Sequence, residues 1–67
     1  MNNTFRTTAY NAQGQRRETE TSFDSWEATE ICLAMSQDYG YAETLDQWGK
    51  HYGEYGHRPV SLGQRDY

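Results

Sequence analysis

Residues 23–40, FDSWEATEICLAMSQDYG, contain the signals for a complete helix with both of its ends. Asp24 is a good N-cap, Glu27 stands three residues later as a capping-box partner, and Phe23 precedes both as a hydrophobic staple. Gly40 has the position of a glycine that follows a last helical turn. Apolar residues recur every three or four positions, so one side of the helix faces a core. These residues are Ala28, Ile31, Cys32, Met35 and Tyr39.

Two turn signals of the same form lie on either side of this helix. Asn11-Ala12-Gln13-Gly14 and Asp46-Gln47-Trp48-Gly49 each begin with Asn or Asp and end with Gly. That pattern is typical of a three-residue hairpin loop with a glycine bulge, because Gly adopts positive φ without a Cβ penalty. Each signal therefore predicts a hairpin. The predicted strands are residues 4–11 paired with 15–23, and residues 41–46 paired with 50–55.

The order of these elements predicts an α+β fold, ββαββ, in which antiparallel hairpins form a sheet with one helix packed on it. An alternative keeps the N-terminal hairpin and makes the rest two helices, because Leu45, Trp48 and Tyr52 would share a helical face. Gly49 and Gly53 would each weaken that second helix by about 1 kcal/mol, so the hairpin is favoured. The core would combine the apolar side of the helix with Phe5, Phe23, Leu45 and some of the tyrosines.

The first hairpin has a predicted register as well. When Asn11 is placed opposite Gln15, charged side chains pair across one face of the hairpin, and the opposite face carries Phe5 with small or β-branched residues. The latter face is the one expected to be half-buried. The pairs on the charged face are Arg6 with Glu20, Thr8 with Glu18, and Tyr10 with Arg16.

Chain length and composition indicate one small domain of 67 residues. We predict an ordered part at about residues 4–56, and an irregular C-terminal tail at 57–67, where the only proline occurs and apolar residues are few. Cys32 is the only cysteine, so it forms no intrachain disulfide, which indicates a reducing cytoplasm. No signal peptide or membrane-length apolar run occurs, so we expect a cytoplasmic protein without membrane contact.

Charge is distributed unevenly along the chain. Residues 18–49 contain no Lys, Arg or His, whereas arginines precede this window. A surface of one sign attracts a partner of the other sign, so we expect a protein with a basic surface as partner. The alternative is a small DNA- or RNA-binding regulator that uses Arg6, Arg16 and Arg17 of the N-terminal hairpin. Nucleic acid is the less favoured partner, because the formal net charge is −4 and affinity for it depends on neutralising phosphates. The carboxylates of the window are Glu18, Glu20, Asp24, Glu27, Glu30, Asp38, Glu43 and Asp46.

Large apolar side chains outside the predicted core form the second part of the candidate site. Trp26 and Leu33 lie off the apolar side of the helix, with Glu30 between them on the same side. Trp48 lies in the second turn, near an aromatic edge that includes Tyr52. The predicted partner-binding residues are Glu18, Glu20, Trp26, Glu27, Glu30, Leu33 and Trp48. A homodimeric structural module is a further alternative, because a domain with a thin core gains stability from dimerisation.

Motifs of catalysis are missing from the sequence. No Gly-rich phosphate loop, nucleophile elbow or metal-ligand spacing occurs. Cys32 falls on the apolar side of the helix, where a thiol behaves as an inert core residue. We therefore expect no enzyme, no cofactor and no metal.

The runs Tyr10-Asn11-Ala12-Gln13-Gly14, Phe23-Asp24-Ser25-Trp26-Glu27-Ala28 and Gly40-Tyr41 resemble the make-up of small acidic accessory proteins of phages and mobile elements. The resemblance covers roughly residues 5–55 and carries no catalytic signature. Many such proteins are accessory or anti-defence factors that bind a host protein and block it. The resemblance therefore implies an interaction protein in a bacterial cytoplasm.

Overall fold

The computed structural model describes residues 3–63. The strands form one antiparallel sheet in the order β2-β1-β3-β4, and the helix packs on one of its faces. The predicted ββαββ fold is thereby confirmed, and residues 41–56 form a hairpin rather than a second helix. The elements are β1 (Phe5–Tyr10), β2 (Arg16–Ser22), α1 (Ser25–Tyr39), β3 (Tyr41–Asp46) and β4 (His51–Gly56), followed by a 3₁₀ turn at Val60–Leu62.

Alternation along the central strand β1 divides the side chains between two faces of the sheet. Phe5, Thr7 and Ala9 are buried under α1, on what we call the helix side. The residues between them point to the other face, the open side. Thr7 stands opposite Thr44 of β3, and their hydroxyl oxygens are 2.8 Å apart in a buried hydrogen bond. A polar pair at the centre of the sheet is thus satisfied without water.

Small side chains make up most of the core beneath the helix. Ala9 and Ala42 from the sheet meet Cys32 and Met35 from α1, with Ile31 and Tyr39 packed against this cluster. The predicted apolar side of the helix is therefore confirmed. Two predicted core residues are not there. Phe23 is exposed instead of acting as a staple, and Leu45 pairs with Arg6, which places it on the open side. The alternation of side chains along β3 turns Leu45 away from the helix, and Phe23 lies between β2 and α1, outside both elements.

Both ends of α1 have the predicted caps. The Asp24 carboxylate accepts a hydrogen bond from the Glu27 backbone N–H at 3.2 Å, and Gly40, at φ 116°, donates its N–H to the Ser36 carbonyl. The return bond of a capping box, from the Glu27 side chain to Asp24, is not formed among the described residues. No helix within residues 3–63 has the length and apolar character needed to span a membrane.

The register of the first hairpin differs from the prediction by one residue. Tyr10 pairs with Arg16 as expected, but Ala9 pairs with Glu18, so Arg17 is an extra residue in a β-bulge. The pairs predicted for Glu18 with Thr8 and for Glu20 with Arg6 are therefore wrong. A shift of one residue moves each later side chain of β2 to the other face of the sheet. Glu18 and Glu20 consequently lie on the helix side.

Residues 57–63, the first part of the predicted tail, return to the turn of the first hairpin. The Ser61 hydroxyl donates to the Gln13 carbonyl at 2.7 Å. Gly14 lies directly beneath it with φ 81°, and a Cβ there would collide with the Ser61 side chain. This contact requires glycine for its close approach as well as for its backbone conformation. Residues 64–67 lie outside the described part of the chain.

Replacement of Asp24 by Ala tests the helix start. The variant loses the side-chain acceptor for the Glu27 N–H, and we expect the free energy of unfolding to fall by about 1 kcal/mol. Urea denaturation followed by circular dichroism measures the change. Ser25→Ala, at the next position, removes no cap and serves as the control. An Asp24→Ala variant as stable as the Ser25→Ala variant would contradict this account of the helix start.

Candidate functional site

The carboxylates of residues 18–49 separate into two groups in the structure. Glu43 and Asp46 serve local structure, since Glu43 pairs with Arg58 and Asp46 accepts the backbone N–H groups of Trp48 and Lys50 in its turn. The remaining members lie on the helix side of the sheet, on the helix itself, at its cap or on the neighbouring edge strand. We call this set the acidic surface: Glu18, Glu20, Asp24, Glu27, Glu30 and Asp38.

No carboxylate of the acidic surface forms an ion pair within residues 3–63. The ion pairs within residues 3–63 are Arg58 with Glu43 and His51 with Glu54, and none of these side chains belongs to it. One internal contact does order it, because the Tyr39 hydroxyl donates to the Glu18 carboxylate at 3.2 Å. That hydrogen bond raises the pKa of Tyr39. Arg17 opposes this rise, so it is the cation to consider beside Glu18. The surface otherwise exposes carboxylates to solvent.

Aromatic side chains border the acidic surface at one end of the molecule. Ser22, Phe5 and Asp46 form one row across the sheet, and α1 begins three residues after Ser22. The start of the helix and the turn between β3 and β4 therefore meet at the same end. We call the exposed rings there the aromatic end: Phe23, 65 % exposed, Trp26, 74 %, Trp48, 73 %, and Tyr52, 48 %.

Trp26 continues this apolar surface along one flank of the helix. Leu33, 42 % exposed, lies two turns further on, and Glu30 stands between them at i+4 from Trp26. Thr29, also on this flank, faces Tyr52 and Tyr55 of β4 across a shallow groove. The flank is therefore the one next to β4. A carboxylate between two large exposed apolar groups is an arrangement suited to a protein interface.

The open side has a different chemistry. Arg58 Nη1 donates to the Glu43 carboxylate at 2.9 Å and to the Tyr41 hydroxyl at 3.1 Å, while its guanidinium lies 5.7 Å from the centre of the Tyr41 ring. The Tyr41 hydroxyl is also within hydrogen-bond distance of Glu54. Burial raises the pKa of Tyr41, although the hydrogen bond from Arg58 opposes this rise. The network anchors the C-terminal segment to β3 and has a structural role.

Cys32 and the potential metal ligands are the remaining reactive side chains among residues 3–63. Cys32 is buried, donates its S–H toward the Ala42 carbonyl, and has its pKa raised by burial, which keeps it as an unreactive thiol. Within the described residues no group of three His, Cys, Asp or Glu side chains is arranged to hold a metal ion. The arrangement on the helix side is suited to binding.

The structure brings together most of the residues that sequence analysis selected. The two tryptophans share the aromatic end, and the other five candidates lie on the acidic surface or on the adjoining helix flank. Sequence analysis missed Phe23, because it treated this residue as a staple. It also had no signal for the groove beside Tyr55, which forms only when β4 reaches the edge of the sheet next to α1. All seven candidates are exposed: Glu18, Glu20, Trp26, Glu27, Glu30, Leu33 and Trp48.

No family model matches the chain, and neither the curated proteins nor the solved structures contain a significant match to it.

Replacement of Tyr41 by Phe tests the network on the open side. Loss of the hydroxyl leaves Arg58 and Glu43 one partner short, so we expect the free energy of unfolding at neutral pH to fall by about 1–2 kcal/mol. A tyrosine whose pKa is raised by folding stabilises the fold below its ordinary pKa, and this contribution is lost as pH rises through the folded pKa. The variant should therefore lose less stability than the native protein when pH rises above about 10.

Urea denaturation at neutral and alkaline pH measures both effects. Tyr55→Phe is the control at neutral pH, because the Tyr55 hydroxyl makes no hydrogen bond within residues 3–63 and its loss should change stability little. Equal alkaline losses in the native protein and in Tyr41→Phe would show that the buried hydroxyl does not contribute.

Proposed function

We propose that this chain is a non-enzymatic accessory factor that binds a larger protein through its acidic surface and aromatic end, and thereby inhibits or modulates it. The partner carries a basic surface. In the fuller form of the proposal the factor is encoded by a phage or mobile element, acts in a bacterial cytoplasm as an anti-defence or related protein, and binds a host protein that itself binds nucleic acid.

One observation carries the proposal: exposed aromatic rings adjoin carboxylates that form no ion pair within residues 3–63. Trp26 and Trp48 each expose about three quarters of their surface, and burial of such side chains supplies most of the energy of a typical interface. Glu27 and Glu30 stand beside Trp26 on the outer turns of the helix. Their charge would accelerate encounter with a basic partner and disfavour partners of the same sign.

The density of charge indicates the size of the basic site. Duplex DNA carries one negative charge per about 1.7 Å of axis, so a length equal to the 36 Å long dimension of this domain would carry about 21 charges. The acidic surface has far fewer carboxylates than this. It is therefore suited to a local basic site on a protein, where a few carboxylates take the place of a few phosphates, and not to imitation of a whole duplex.

Removal of two charges from the helix tests the proposal. Glu27→Gln with Glu30→Gln keeps the shape and helix propensity of both positions, so the domain should remain folded. We expect the affinity for the partner to fall about tenfold or more, because two carboxylates that face its cations are lost. Purification of partners from a bacterial lysate with each tagged protein, followed by mass spectrometry and titration of the recovered partner, measures the loss.

The matched control raises the net charge by the same amount on the opposite face. Thr19 and Thr21 are exposed and pair with Thr8 and Arg6 on the open side, so Thr19→Lys with Thr21→Lys leaves the acidic surface intact. This control should retain the partner. Equal capture by the native protein and by the glutamine variant would refute the proposal.

A second function has an observation in its favour. Arg6, Arg16 and Arg17 line a shallow concavity together with Tyr10, although Glu18 lines it as well. Cations around a ring are typical of sites for single-stranded nucleic acid. Glu43 and Glu54 lie on the same face, however, opposite each other in β3 and β4. Glu43 pairs with Arg58 and Glu54 with His51, so this part of the face adds no net positive charge for phosphate binding. A nucleic-acid-binding regulator is therefore the weaker candidate.

Electrophoretic mobility shift at low salt tests this second candidate. We expect no retardation of single-stranded or duplex DNA or RNA by the native protein, even at high protein concentration, because the net charge is −4 and nucleic-acid affinity is largely electrostatic. Retardation by the native protein that is lost in the Arg6→Ala, Arg16→Ala double variant would contradict this expectation. It would support nucleic-acid binding by the open side instead.

A further inference from the structure

A small groove lies at the aromatic end, beside the turn of the second hairpin, and we call it the turn groove. Phe5, Trp48 and Tyr52 line it together with Asp46, and its volume is about 210 Å³. Sites for whole small molecules measure about 300–1,000 Å³, so this groove accommodates a single side chain instead. No Lys, Arg or His of residues 3–63 lines it, although Lys50 belongs to the same turn.

A β-bulge brings the ring of Tyr52 to the turn groove. Gly53 pairs with Thr44, and His51 pairs with the next residue of β3. Tyr52 between them is therefore an extra residue, and strict alternation from Gly53 would place it on the open side. Its ring instead packs against that of Phe5, with 4.9 Å between the ring centres and 55° between the ring planes. Bulges often re-aim a side chain beside a functional site, and this one turns a ring toward the groove.

The two hairpin turns make the same hydrogen bonds with different residues. In the first turn, Asn11 Oδ1 accepts the backbone N–H groups of the residues two and four positions later, at 3.0 and 2.9 Å. In the second turn, Asp46 Oδ1 accepts the corresponding N–H groups, each at 2.9 Å. An amide oxygen thus serves this type of turn as well as a carboxylate oxygen does. The negative charge of Asp46 is not required by the turn.

Trp48 is also more than the turn requires. It contributes only its backbone N–H to the turn, which any residue except proline supplies. The corresponding residue of the first turn is Gln13, and the Trp48 side chain leaves 73 % of its surface exposed. The two features in which the second turn exceeds the first, a charge and a large ring, thus belong to residues that line the same groove.

Rings beside a carboxylate are suited to an organic cation. A cation within about 6 Å of a ring centre is attracted by the face of the ring, most strongly by that of Trp, and a carboxylate accepts charge-assisted hydrogen bonds from it. Both turn hydrogen bonds of Asp46 go to Oδ1, so the turn does not use Oδ2. A guanidinium is planar, stacks on rings and donates to carboxylates, whereas an ammonium is compact and strongly hydrated. The chemistry therefore favours arginine over lysine.

We propose that the turn groove binds an arginine side chain of the partner protein, with the guanidinium against the rings of Trp48 and Tyr52 and hydrogen-bonded to the Asp46 carboxylate. The proposal rests on the proposed function, since it identifies one contact that the basic partner makes. It assigns a binding role to the second hairpin turn, which lies outside the acidic surface.

Titration of the isotope-labelled protein with three capped tripeptides, followed by NMR, tests the turn groove without the partner. The peptides are acetyl-Gly-Arg-Gly-amide and its counterparts with citrulline, a neutral group of the same planar shape, and with leucine. We expect the arginine peptide to shift the indole N–H signal of Trp48 saturably by about 20 mM, in the weak range suited to one side chain. The other two should bind about fivefold more weakly or less. The signal of Trp26, which is equally exposed, serves as the internal reference and should not saturate.

The first turn supplies the matched variants. Asp46→Asn copies Asn11 and Trp48→Gln copies Gln13, so both variants should keep the turn and a thermal midpoint close to that of the native protein. Their affinity for the arginine peptide should fall about fivefold or more, because one loses the charge and the other the ring. The double variant Asn11→Asp, Asp46→Asn keeps the native net charge and should bind as weakly as Asp46→Asn. Asn11→Asp alone should bind as the native protein does.

Five results would each overturn the arginine site. The Trp48 signal fails to saturate by about 20 mM peptide, the citrulline or leucine peptide binds as well as the arginine peptide, or Asp46→Asn keeps its affinity. Unfolding of Asp46→Asn would show that the turn needs the charge. Sedimentation of the free protein as a dimer that contains Trp48 in its contact would make a second copy the occupant.

Partner capture separates this proposal from the proposed function. Loss of the partner by the glutamine variant of Glu27 and Glu30, with full retention by Asp46→Asn, would leave the proposed function standing without the arginine site. Retention by the glutamine variant, with loss by Asp46→Asn, would refute the role of the acidic surface and keep the arginine site. Retention by both variants would remove both proposals.

Discussion

The pleat of the central strand β1 decides which surface each functional group occupies. β1 pairs with β2 on one side and with β3 on the other, so its alternation extends across the sheet. Only one helix is available to cover two faces, and it covers the face that carries Phe5, Thr7 and Ala9. Any side chain paired with these residues lies on the helix side. Any side chain paired with Arg6, Thr8 or Tyr10 lies on the open side.

The bulge at Arg17 shows how strongly the surface charge depends on this constraint. Without the extra residue, Glu18 and Glu20 would stand among the arginines of the open side, and the two charge types would offset each other. With it, both glutamates join the carboxylates of α1, and Tyr39 reaches Glu18. The bulge thus leaves the helix side acidic. The open side holds the half-buried pair of Arg58 and Glu43.

The parts of the fold that sequence analysis predicted correctly are those determined by neighbouring residues. The cap at Asp24, the glycine end at Gly40 and the two Asx-to-Gly turns each satisfy backbone groups within a few positions, so local chemistry identifies them. The bulge at Arg17 cannot be predicted this way. It depends on which face of β1 the helix covers and on the pairing of β1 with β3, both of which involve residues distant in the chain.

The candidate site was predictable in its residues but not in its arrangement. Trp26, Leu33 and Glu30 were identified because helical periodicity places them off the apolar side, a local property of the sequence. The face on which Glu18 lies could not be predicted, because it depends on the bulge at Arg17. The groove between α1 and β4 could not be predicted either. It forms because β4 is the edge strand beside α1, and the order of strands depends on the whole sheet.

The distribution of side-chain size is a further argument for the proposal that a partner covers the exposed tryptophans. Most small domains place their largest apolar groups inside, because stability depends on the apolar area they bury. Here Phe5, Met35 and Tyr41 are buried together with alanines, but the two largest side chains, Trp26 and Trp48, are mostly exposed. Exposed tryptophans contribute little hydrophobic stabilisation to a chain this short. Exposed rings also promote aggregation. The arrangement is advantageous if a partner covers the rings, and the carboxylates beside them keep the surface hydrated until it does.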